Sequence, residues 1–75
     1  MEKMVAEALM KSLLEFGNSM DRVGLVIERI DDDRERAQFR THIATTMGSL
    51  YGDFMRPIIK QYPELDPDGD KYARP

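Results

Sequence analysis

Apolar residues recur along the first thirty positions at intervals of three and four: Val5, Leu9, Leu13, Phe16, Met20, Val23, Ile27 and Ile30. That spacing is the seam of a helix packed lengthwise against another helix. It predicts a first helix from about residue 2 to residue 30. Lys3, Glu7, Lys11 and Glu15 alternate in charge every four residues, which suits an outward, solvated face. Gly17-Asn18-Ser19 contains a helix breaker followed by two cap formers. The apolar phase passes through it undisturbed, so one continuous helix is expected.

Asp31-Asp32-Asp33 marks a turn at residues 31–32. Asp32 with Glu35 fits a capping box, and acidic side chains suit the positive end of a helix dipole. A second stripe follows in Phe39, Ile43, Met47, Leu50, Phe54 and Ile58, with Tyr51, Met55 and Tyr62 beside it. It predicts a second helix over about 33–62. Pro57 lies inside that pattern without a backbone N–H to donate, so a kink is expected there. Pro63 ends the helix, and residues 63–75 read as a polar tail. The fold class is therefore all-α: an antiparallel helical hairpin.

One hairpin does not use all of this apolar surface. Thr41, Thr45, Gly48 and Gly52, continued by Ile59, line up as a ridge of small residues beside the second stripe. Glycine inside a helix costs roughly 1 kcal/mol relative to alanine. Two glycines four apart on one face therefore predict close approach of another helix. Stripe and ridge together cover about 240° of the second helix at 100° per residue. A second copy is expected to cover the remainder, giving a homodimeric four-helix bundle with the ridge as its interface.

Size supports this expectation. A chain of 75 residues buries a modest core, and small domains usually add disulfides, a metal or a partner. Cysteine is absent and His42 is the single histidine, so disulfides, thiolate zinc and histidine-rich metal sites are not expected. Hydrophobic residues make up 41% and charged residues 33%, with a net charge of −3. That balance argues against general affinity for nucleic acid, which needs a positive footprint. The apolar runs are far too short for a membrane span. Met1-Glu2-Lys3-Met4 does not open a signal peptide, so a cytoplasmic location is expected.

Candidate chemistry is sparse. Ser12, Ser19 and Ser49 share one histidine and no nucleophile elbow, and the carboxylates fall on solvated faces. No enzyme activity and no cofactor are expected. His42 projects onto the polar side of the second helix. The run His42-Ile43-Ala44-Thr45-Thr46-Met47-Gly48-Ser49 loosely resembles the signature of histidine phosphotransfer domains, which implies a phosphoacceptor at His42. That family carries lysine three residues after the histidine and glycine four after, where this chain has Thr45 and Thr46. Asp66-Pro67-Asp68-Gly69-Asp70 starts like a calcium loop, but its glycine comes at the fourth position rather than the sixth, so a turn is expected. Arg34, Arg36, Arg40 and Arg56 stand among acidic residues and predict salt pairs.

The leading expectation is a dimeric module that binds a further protein. Leu14 and Leu25, eleven residues apart, point the same way from the charged face of the first helix. With Met10 they form a candidate partner surface, and Tyr62, Leu65 and Tyr72 offer anchors near the tail. In scale and acidity the chain is similar to small helical-hairpin immunity proteins and to some secretion chaperones. Phosphotransfer through His42 is one alternative. A small-molecule or lipid pocket inside the bundle, lined by Phe16, Phe54 and methionines, is another.

Overall fold

The structure, a computed structural model, describes residues 1–68. Helix α1 spans Lys3–Ile27 and runs unbroken through Gly17-Asn18-Ser19. Its last turn tightens, with Arg29 N–H donating to Val26 O and Ile30 N–H to Ile27 O. The helix thus stops three residues before the apolar pattern does, and residues 28–32 form the connection. Helix α2 spans Asp33–Ser49. Asp32 caps it: its Oδ2 accepts the Glu35 N–H at 2.8 Å. One half of the expected capping box is therefore in place. The half-buried Arg36 reinforces the turn, donating to Ile30 O at 2.6 Å and to the Asp33 carboxylate.

The second helix does not run on as a kinked α-helix. Leu50–Met55 winds as a π-helix, and Arg56 N–H reaches back to Tyr51 O. Helix α3 then covers Arg56–Gln61. Pro57 explains the wider turn: its ring collides with the carbonyl four residues back in an α-helix and it offers that carbonyl no hydrogen. A π turn ahead of the proline moves the carbonyl away.

The tail is not loose over its described part. Pro63–Leu65 forms a 3-10 turn, and Asp68 N–H donates to Asp66 Oδ1 at 2.9 Å in the turn expected there. Three contacts fasten this end to the start of α1. Tyr62 Oη donates to Met1 O at 2.7 Å, Met1 N donates to Gln61 Oε1 at 3.0 Å, and Lys3 pairs with Glu64 at 2.9 Å. Start and end lying together make the hairpin antiparallel.

The packing differs from the pattern in one instructive way. The core consists of Ala6, Met10, Leu50, Met55 and Ile58, with Leu13, Met47, Ile59, Tyr62 and Leu65 packed against it. Ile27 is buried separately near the turn. On α1 the line that meets the second helix is Ala6, Met10, Gly17 and Gly24. Each of these follows a member of the predicted stripe by one residue, while Leu13, Met20 and Ile27 belong to both lines, so the contact face is displaced by roughly 60° rather than replaced. Small residues decide the rotation. A β-carbon built on Gly17 would lie 3.7 Å from Leu50 Cδ2, and one on Gly24 would lie 3.6 Å from Ile43 Cδ1. The second helix nestles against these glycines, and Val5, Leu9, Phe16 and Val23 of the stripe are turned aside.

Candidate interaction surface

Four members of the stripe assigned to the internal seam face water instead. Val5 is 53% exposed, Phe16 48% and Val23 45%, and Leu9 is exposed as well. Leu13 and Met20 are half-buried and Ile27 is buried, so the seam divides between two faces. Near the turn, Val26 and Phe39 extend the exposed surface. There Ser19, Arg22, Val23, Val26, Ile27, Ile30 and Phe39 line a groove of about 540 Å³. The hairpin measures 45 × 29 × 17 Å. Two helical arms laid side by side form a single layer. The apolar face has no second layer over it.

The other expected surfaces fare unequally. Leu14 and Leu25 are exposed, Leu25 at 71%. Met10 is buried in the core and cannot join them, because α1 is rotated toward it. Tyr62 and Leu65 are half-buried and pack where the hairpin closes. Tyr72 lies outside the described residues. On the small ridge, Thr41 and Thr45 are exposed, and their hydroxyls donate to Ala37 O and Thr41 O. Apart from the glycine itself, its chain neighbours and the helix's own backbone, nothing lies within 4 Å of a β-carbon built on Gly48 or Gly52. Helix α1 therefore does not use this ridge. Ile59 departs from it and packs on the core. Phe16 and Phe54, expected to line an interior pocket, are both about half exposed.

No protein-family model, curated protein or solved structure matches the chain. What it can do must be read from its own surfaces.

Among the described residues no polar or charged side chain is buried, and no cluster of three His, Cys, Asp or Glu could hold a metal ion. His42 is exposed, with its ring edge-on to Phe39 at 6.4 Å between centroids. The nearby Thr46 hydroxyl donates to the His42 carbonyl, not to its ring. Of Arg34, Arg36, Arg40 and Arg56, the second and third form the expected salt pairs. Arg40 grips Glu28 with two nitrogens, Arg36 holds the turn, and Arg56 lies 5.8 Å over the Tyr51 ring. The Arg40 hydrogen bond holds the Glu28 carboxyl below the usual glutamate value, and the Lys3 hydrogen bond does the same for Glu64. Both pairs are at the surface and join parts of the fold. No helix among the described residues is long and apolar enough to cross a membrane.

The outward stripe is the feature that hydrophobic patterning missed. A signal for it existed: Gly17 and Gly24 follow Phe16 and Val23 directly. A glycine beside a large apolar residue gives the helix two candidate contact lines, and close backbone approach favours the glycine line.

Proposed function

We propose that the protein is a small dimeric helical module, without enzymatic activity, that binds a further protein. A second copy covers the exposed stripe of α1 and completes a four-helix bundle, while Leu14 and Leu25 on the charged face remain for the partner. The observation that carries this reading is the row Val5, Leu9, Phe16 and Val23 standing in water on a single-layer hairpin. Removing apolar area from water is worth about 25 cal/mol per Å². Large contiguous apolar patches on soluble proteins mark sites of contact.

This reading takes α1, in place of the small ridge of α2, as the surface of self-association. The ridge offers close approach but few large side chains to bury. The stripe offers both area and length.

The scarcity of buried ionisable groups supports a binding role, since catalytic groups draw their shifted pKa values from burial and charged neighbours. Sedimentation equilibrium at micromolar concentration tests the dimer, and a monomeric mass removes it. For the partner face, Leu14→Glu/Leu25→Glu should retain the dimer mass and lose a protein captured by the unaltered dimer. Equal capture by both would assign binding to another surface.

A further inference from the structure

The order of residues along the exposed stripe indicates how a second copy would sit on it. Outward from α1 stand Val5, Leu9, Ser12, Phe16, Ser19 and Val23, all exposed and separated by four, three, four, three and four residues. This is a heptad seam. Like any such alternation it has a midpoint, here the level of Leu14, so the residues it pairs decide the register. Ser12 and Phe16 lie two residues to either side, Leu9 and Ser19 five, and Val5 and Val23 nine.

An antiparallel pair of such helices, related by a two-fold axis at the level of Leu14, sets each of these positions against its counterpart. Phe16 then lies over the partner's Ser12, and Leu9 over the partner's Ser19. Val5 meets the partner's Val23. Each aromatic or leucine side chain faces a serine, and the valines face each other, so the layers have similar volume. Parallel pairing in register would instead stack Phe16 on Phe16 and leave serine on serine in two layers. One layer would be overfilled and two underfilled, and cores tolerate neither.

The groove agrees with the antiparallel register. It begins at Ser19 and Val23 and continues toward the turn, which is where the partner's Val5 and Met1 arrive. Met1 is itself half exposed. The two-fold axis supplies the same groove and the same insertion on the other side, as an isologous interface requires.

We infer that two hairpins pair face to face through this stripe, α1 antiparallel to the partner's α1 about a two-fold axis at Leu14. The inference rests on the dimer reading above and adds its interface, orientation and register.

Because the chain lacks cysteine, engineered thiols test it directly. Val5→Cys, Val23→Cys and an equal mixture of the two are exposed to a mild oxidant and resolved without reductant. Circular dichroism checks that both exposed sites leave the hairpin folded. A disulfide between Val5→Cys and Val23→Cys chains in the mixture, with neither variant linking to itself, is the expected result. Self-linking of Val5→Cys or of Val23→Cys indicates parallel helices and overturns the register. Absence of any disulfide in a sample of dimeric mass means that α1 packs elsewhere, and also overturns it. A monomeric wild type would remove the dimer reading as well, and the mass measurement separates that failure from the other two.

Discussion

Gly17 and Leu50 meet so closely that a β-carbon on Gly17 would lie 3.7 Å from Leu50 Cδ2, with Met47 Cε at 4.0 Å. These are ordinary contact distances, so one methyl group fits and a larger side chain does not. Gly17→Ala should stabilise the hairpin by roughly 0.5–1 kcal/mol, the helix-propensity gain of alanine over glycine. Gly17→Leu should overfill the contact and destabilise by about 1–3 kcal/mol. Urea denaturation of the two variants beside wild type reads both signs.

Phe16 is half exposed in the single hairpin, so charging it should leave the helices intact while removing the central layer of the dimer. Phe16→Glu is expected to sediment as a folded monomer with the circular dichroism of the wild type. Gly48→Leu/Gly52→Leu, on the ridge that α1 does not touch, is expected to keep the dimer mass. A reversal of these two results would return the interface to the ridge of Thr41, Thr45, Gly48 and Gly52.

Ile58 is 1% exposed and belongs to the five-residue core. Truncation to alanine removes most of a buried side chain and leaves a cavity, at a cost of about 2–5 kcal/mol. For a domain of this size that approaches the whole stability. Ile58→Ala should therefore show a much lower thermal midpoint than wild type at the same protein concentration, or no cooperative transition.

Acid should loosen both ties between the ends of the helices. Hydrogen bonds from Arg40 and Lys3 lower the Glu28 and Glu64 carboxyls, so the folded chain takes up these protons less readily than the unfolded one. Their contribution is present above the unfolded glutamate value, about 4.3, and fades as pH falls through the lower folded values. The pairs are exposed, so the effect is small. Arg40→Gln should reduce the difference in urea midpoint between pH 7 and pH 3. Lys3 is raised by the same bond to Glu64, and its share is lost at the alkaline end, as pH rises through that raised value.

Much of the architecture was legible because its causes are local. The period of the apolar residues gives two helices, Asp32 starts the second, and the undisturbed phase across Gly17-Asn18 keeps the first continuous. The disruption at Pro57 was also visible, though its form as a π turn was not. Missing N–H and ring clash state that a regular α-helix fails there, without stating which repair the chain adopts. The fastening of Tyr62 and Leu65 to the start of α1 was hidden for another reason. It joins residues about sixty positions apart, and no periodicity links them.

The arc of the first helix that faces the second was decided by tertiary structure. The sequence determined that Val5, Leu9, Phe16 and Val23 form an apolar line, but not what the line meets. Apolar patterning weighs each side chain by its dislike of water, whereas two helices settle where their backbones come closest. Ala6, Gly17 and Gly24 permit that approach one residue further round. The hairpin closes on this line together with Met10, Leu13 and Ile27, and Val5, Leu9, Phe16 and Val23 face outward.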